Sequence, residues 1–172
     1  MTAGRATLDE ILTARHGKAG EVVNVNEPLI RLVIFSLDGD WFAFHGEQIR
    51  EILADCHVFF LPGCPPSMEG VINVRGEIES VIRLRSVLRY SGEPETTSTR
   101  ILIGQGRAMR SGLRVDRVED VASVFASRME VPPHNMPDHL ATIVQGILSF
   151  GEHHVSVLDL DRLFDDYRAG LR

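Results

Sequence analysis

The stretch that decides the fold runs from Gly70 to Arg85 and reads GVINVRGEIESVIRLR. Val71, Ile72 and Val74 precede the Arg75-Gly76 dipeptide, while Ile78, Val81, Ile82 and Leu84 follow it, so two half-buried strands meet at a turn. Asn73, Arg75 and Gly76 cluster at that meeting point. A guanidinium fixed on such a turn presents a rigid five-donor fork suited to carboxylates or backbone carbonyls. Gly76 removes the side chain that would crowd an approaching surface.

Working outward, most of the chain from Leu29 reads as β structure. Residues 30–37 and 41–44 flank Asp38-Gly39, a dipeptide suited to a type I′ hairpin turn. A helix of one to two turns is expected at about 47–53, with Ile49, Ile52 and Leu53 on one face. The three prolines of the loop from Leu61 to Pro66 lack N–H donors and exclude a central strand there. Ser91 to Thr99 is a polar, turn-rich connector. Further strands are expected at 100–104, 107–116 and 120–125, and Val131 to His139 is a second proline-rich loop. A last hairpin pairs 143–149 with 153–158 around Gly151. Asp159 or Asp161 then caps a final helix whose Leu160, Leu163, Phe164 and Tyr167 share a face. Many short strands with one terminal helix point to small barrels or a sandwich. No internal repeat is evident in the sequence.

Residues 1–28 read as an extension. Thr7 and Glu10 have capping-box spacing, and Leu8, Ile11 and Leu12 form a short apolar stripe ending near Gly17. A helix of about nine or ten residues falls below the ~12–15 that an isolated helix needs in water, so it docks on the body or frays. Glu21 to Pro28 is a linker, and residues 29–172 form one domain.

A length of 172 residues is enough to bury an ordinary interior. The net charge of -6 argues against nonspecific nucleic-acid binding, which needs clustered basic residues. No apolar run approaches the ~18 residues required to span a bilayer, and the N-terminus lacks a signal-peptide core, so a cytoplasmic protein without membrane insertion is expected. Cys56 and Cys64 are too few for a disulfide framework and are expected to be buried thiols.

An enzyme needs a nucleophile, a base, a metal or a cofactor site, and each candidate is thin. His134 and His139 lie in a proline loop without a zinc-ligand spacing, and Cys56, His57 and Cys64 make no Cys-x-x-Cys knuckle. Gly104-Gln105-Gly106 reads as a hairpin turn, since the next glycine, Gly112, falls outside the dinucleotide fingerprint. The only lysine, Lys18, belongs to no Walker A motif, and no Gly-x-Ser-x-Gly elbow is present. The expectation is a protein with no catalytic site, no metal and no cofactor.

The 71–85 segment resembles the CheW family of bacterial chemotaxis coupling proteins. There an apolar-Asn-apolar-Arg-Gly strand and turn is followed by an apolar strand ending in Asp-Leu-Arg. The likeness runs from about Leu29 to Tyr167. It takes in LVIFSLDGDWFAF, the segment Ile49-Arg50-Glu51-Ile52-Leu53, the loop LPGCPP, Val115 to Val121, and the closing ILSFGEHHVSVLDLDRLF. The resemblance implies a mainly β CheW-like fold: two intertwined five-stranded SH3-like β-barrels with short helices and a C-terminal helix, packed on one hydrophobic seam. It implies a noncatalytic adaptor linking chemoreceptors to a CheA-like histidine kinase in two-component signalling. One barrel would meet the kinase's regulatory domain, and a groove near the seam would take the receptor's cytoplasmic tip.

Carried over residue by residue, Asn73, Arg75 and Gly76 match the partner-binding turn, and Ile49, Glu51 and Ile52 match the receptor-facing element. Each has a purely structural alternative. Arg75 could pair internally with Glu77 or Glu79, and Ile52 reads more readily as core. Glu51 is expected to lie off the apolar face and stay available. Val115, Val118 and Val121 divide between seam and core in a way the sequence leaves open. Two positions depart from the family pattern: Ser80 stands where a proline is usual, and Arg83 where an aspartate is usual. Arg83 therefore alters an edge contact or marks a divergent accessory adaptor. The rival reading is a small-ligand-binding β-barrel module of another signalling protein. An adaptor predicts solvent-facing apolar anchors at the barrel ends, whereas a ligand module predicts an enclosed cavity of at least ~300 Å3.

Overall fold

The computed structural model describes residues 26–54, 56–94 and 96–171. The helix expected near Thr7 lies outside these residues. Ten strands form two five-stranded sheets: β1 (Leu29–Leu37), β2 (Asp40–His45), β3 (Ile49–Ala54), β4 (Met68–Val74), β5 (Glu77–Arg83), β6 (Arg100–Gln105), β7 (Arg110–Val115), β8 (Arg117–Phe125), β9 (Val144–Phe150) and β10 (His153–Leu158). Short helices α1 (Leu84–Val87) and α2 (Asp138–Ala141) precede the C-terminal α3 (Leu160–Gly170). The first sheet is ordered β8-β1-β2-β10-β9 and the second β3-β6-β7-β5-β4. The chain thus starts one barrel, builds the other, and returns to finish the first.

Strand alternation sorts the apolar side chains into three compartments. On β1, Leu32 and Ile34 point into the first barrel, where they meet Ala43, Leu148, Val155 and Val157. Val33, Phe35 and Leu37 point the other way, into a seam shared with Leu102, Leu113, Ile82 and the α3 residues Leu160, Leu163 and Phe164. Ile72, Val74, Val81, Ile101 and Ile103 fill the second barrel. Both faces of β1 are therefore dry, which explains an unbroken LVIF run in place of a polar alternation. Asp159 caps α3, its carboxylate accepting the Arg162 N–H at 3.1 Å.

An internal duplication, missed in the sequence, emerges from the pairing. Val74 faces Glu77 in the second barrel as Phe150 faces His153 in the first, each 76 positions on. Ile34 faces Ala43 as Ile103 faces Gly112, each 69 positions on. In both halves the fifth strand pairs in parallel with the second strand of the opposite half, β5 with β7 and β10 with β2. Closure is duplicated too. After β3 the chain returns to β4 through a Phe59–Val71 bridge, and after β8 it returns to β9 through a Glu130–Ile147 bridge. A glycine stands beside each closure. A Cβ on Gly70, at φ 151°, would run into the Phe59 carbonyl, and one on Gly146 would strike Met129 and come within 3.0 Å of the Glu130 oxygen.

The expected helix at 47–53 is instead a 3-10 turn, Gly46–Gln48, followed by β3. A bulge at Arg50 is the reason. It shifts the pairing between Ile49 and Glu51, so Ile49 faces the seam while Leu53 faces the barrel interior. A strand that changes phase in this way imitates helical i, i+3, i+4 spacing. The equivalent bulge on β8 explains the matching pattern of Val115, Val118 and Val121. Val115 is buried, Val118 packs on the seam, and Val121 is 46% exposed. The cysteines also differ from expectation: Cys56 is exposed and Cys64 half-buried, because both fall in irregular segments outside the barrels.

Candidate functional site

The β4–β5 turn places Arg75 at φ 53° and Gly76 at φ 87°, the two left-handed positions of a type I′ hairpin. Left-handed backbone costs a non-glycine residue roughly 1–2 kcal/mol, so Arg75 is held there against its own preference. Asn73 helps to hold it, its Oδ1 accepting the Gly76 N–H at 2.8 Å. The turn lifts the guanidinium clear of the barrel, leaving the side chain 81% exposed.

Arg75 does pair within the chain, but with neither expected carboxylate. Its Nη2 donates to Glu51 Oε1 on β3 at 2.9 Å. Glu77 and Glu79 belong to another cation: Arg110 on β7 bonds buried Glu79 at 2.8 Å and lies 3.7 Å from Glu77. Glu51 is therefore half-buried and engaged, where it was expected to be free. Its bond to Arg75 joins the two sets of candidate residues into one surface at the end of the second barrel. Exposed ion pairs of this kind contribute ~0–1 kcal/mol, so the link orients the fork more than it stabilises the fold.

Two exposed isoleucines neighbour this pair along β3 and β5. Ile52, expected in the core, points outward from β3 and is 39% exposed, whereas Ile49 packs against the seam. Ile78 lies directly opposite Asn73 and is 67% exposed. The face of β5 that buries Ile82 in the seam runs out from under the first barrel, so Ile78 is uncovered. Sequence reasoning placed Ile78 in a half-buried strand and did not count it as a site residue; its position two residues beyond Gly76 was the available signal.

Behind the surface, a second ionic group joins the barrels. Arg85 Nη1 donates to Asp38 at 2.7 Å and to Asp116 at 3.0 Å, and the Asp38 bond leads the effects that raise its pKa. Tyr90 donates to Asp40 at 2.5 Å, and burial first, then this bond, pushes its phenol well above the ordinary value. By the duplication, Arg107 and Asp161 stand where Asp38 and Arg85 stand in the other half, and they too pair, at 3.3 Å, with the charges exchanged. Arg83 makes its bond to the Pro66 carbonyl, at 3.0 Å.

The CheW-like domain family model matches residues 31–168. The chain is 27% identical over 135 residues to the chemotaxis protein CheW of Bacillus subtilis, covering 78% of this chain and 86% of that one. It is 24% identical over 169 residues to the chemotaxis protein CheW of Klebsiella aerogenes, covering 98% and 95%. Among solved structures it is similar to the scaffolding protein TtCheW of Thermoanaerobacter tengcongensis, with TM-score 0.71 and 26% identity over 80% of this chain and 94% of that one. A family model spanning both barrels, together with a solved relative that shares the fold, leads to one conclusion: the chain belongs to the CheW-like domain family.

Proposed function

We propose that this chain is a noncatalytic adaptor that couples chemoreceptors to a CheA-like histidine kinase, with the Arg75 end of the second barrel as its partner surface. The observation that carries this reading is the surface itself. An exposed guanidinium, bonded to Glu51, is accompanied by two exposed isoleucines, Ile52 next to Glu51 on β3 and Ile78 opposite Asn73 on β5. Apolar anchors around a polar register are what a protein interface needs. The barrel interiors, by contrast, are filled with side chains, which disfavours a small-molecule container. The names of the relatives, a chemotaxis protein and a scaffolding protein, agree with this role.

Asn73, Arg75 and Gly76 face the kinase or receptor, and Ile49, Glu51 and Ile52 serve the receptor, Ile49 by supporting the surface from the seam. No helix among the described residues is long and apolar enough to cross a membrane. The test is reconstitution. Purified kinase and a receptor signalling fragment are assayed for phosphate turnover with and without the chain, and each partner is titrated separately. Receptor-controlled turnover that depends on the chain is the expected result. Binding to neither partner would overturn the proposal.

A further inference from the structure

The last rung between β3 and β6 pairs Ala54 with Arg100. Beyond it the 56–60 segment and the connector before β6 separate. Between them opens a cleft of about 920 Å3, lined by His57, Val58, Thr96 and Thr97 together with Arg83 and Arg114. That volume lies within the ~300–1,000 Å3 of ligand sites.

At Val58 this cleft meets an unfinished sheet edge, which runs on past its lining to Phe60. Phe59 exchanges both main-chain bonds with Val71, at 2.8 and 2.9 Å. In extended chain the groups of Val58 and Phe60 then point the opposite way, and neither main chain finds a hydrogen-bond partner among the described residues. The Val58 side chain packs into the barrel, so the face it turns to the cleft is main chain. An edge of unpaired N–H and C=O groups is a template for another strand.

Among the described residues, the charges lining the cleft are nearly all matched. Arg85 is held by Asp38 and Asp116, and Arg114 by Glu69 at 2.6 and 2.8 Å. Among the described residues, Glu93 lines the cleft without a cation, and Arg83 is exposed with a carbonyl as its one bonded neighbour. Arg83 is also the residue that departs from the family pattern, and the adaptor surface around Arg75 makes no use of it.

We propose that this cleft is a strand-addition site, in which an extended segment of a partner protein pairs along Val58–Phe60 and sets a carboxylate side chain against Arg83. Main-chain bonds give the affinity and Arg83 the selectivity. The site is independent of the adaptor reading, because neither Arg75 nor Glu51 contributes to it.

The test follows the amide and guanidinium resonances of the isotope-labelled full chain. The probe is a blocked seven-residue peptide alternating valine and glutamate. Saturable shifts are expected at the Val58 and Phe60 amides and at the Arg83 side chain. Methylating the peptide's edge-facing nitrogens, or making Phe60→Pro, should weaken binding about tenfold or more by removing ladder bonds. Phe60 is 71% exposed and its N–H has no partner among the described residues, so this variant should keep the parent melting temperature. Arg83→Gln, or glutamine for glutamate in the peptide, should weaken binding about fivefold or more. The proposal is overturned if ~1 mM peptide leaves the Val58 and Phe60 amides unmoved. It is equally overturned if the methylated peptide binds as well as the parent, or if free glutamate alone reproduces the shifts. Concentration-dependent shifts without peptide would make a second copy of the chain the occupant and refute the assignment to a partner.

Discussion

Replacing Arg75 by glycine separates stability from binding more sharply than any other change at this surface. The substitution loses the Glu51 ion pair, in which the arginine is 81% exposed, so the loss is at most ~1 kcal/mol. It also relieves a left-handed residue at φ 53°, which recovers roughly 1–2 kcal/mol before the extra freedom of glycine in the unfolded chain is subtracted, about 0.5–1 kcal/mol. The net change is close to zero. For a chain of this length 1 kcal/mol corresponds to ~2–4 °C, so the melting temperature should stay within about 4 °C of the parent. Binding should respond differently. In the complex the fork is desolvated against carboxylates or carbonyls, and breaking such a pair costs ~2–5 kcal/mol, or about 30-fold or more in Kd. Thermal unfolding by circular dichroism, with titration against the kinase regulatory domain and a receptor-tip peptide, measures both quantities on one preparation. A variant that binds both partners normally but melts more than ~5 °C lower would refute the reasoning and make Arg75 an internal strut.

Ile78→Asp should weaken partner binding about tenfold or more while leaving the fold intact, because this exposed side chain loses only contacts that form in a complex, whereas Ile49→Asp should unfold the seam; titration with a melting curve distinguishes them. Gly70→Ala and Gly146→Ala should each destabilise by about 2 kcal/mol or more, since both block barrel closure, and denaturant midpoints that stay put for either would contradict the duplicated closure. Tyr90 sets an alkaline limit. Its folded pKa is raised, so its contribution is complete below the ordinary value near ~10 and is lost as pH rises from there toward the folded value. Urea unfolding between about pH 9 and 11.5, at intervals of about half a unit, should show that loss in the parent and a flatter profile in Tyr90→Phe.

The strands and turns were legible because their signals are local. Asp38-Gly39 adopts the left-handed turn its sequence favours, Arg75-Gly76 forms the turn that the flanking strand patterns require, and Asp159 caps the last helix as its spacing indicates. What the sequence hid depends on register. The bulge at Arg50 converted a strand into an apparent helix and reversed the roles of Ile52 and Glu51. The duplication escaped notice because equivalent positions solve the same packing problem with different chemistry. The Arg110 and Glu77 pairing at one barrel end corresponds to Trp41 and His153 at the other, where the two rings stack at 3.8 Å. Arg85 with Asp38 likewise corresponds to Asp161 with Arg107. Geometry is repeated while charge is exchanged, so a comparison of residue types finds little to match. The link between Glu51 and Arg75, 24 positions apart, was beyond any local pattern.

The interleaved chain path has a consequence for how the protein is made. Synthesis proceeds from the N-terminus, and the second barrel has all its strands once β7 has emerged. The first barrel then still consists of β1 and β2, apolar on both faces, and it must wait for β8, β9 and β10. At ~5–20 residues per second that wait is roughly 2–9 seconds on the ribosome. During it the finished barrel offers a surface of its own chain on which Val33, Phe35 and Phe44 can shelter, so the seam serves as a nascent-chain refuge before it becomes a boundary between barrels.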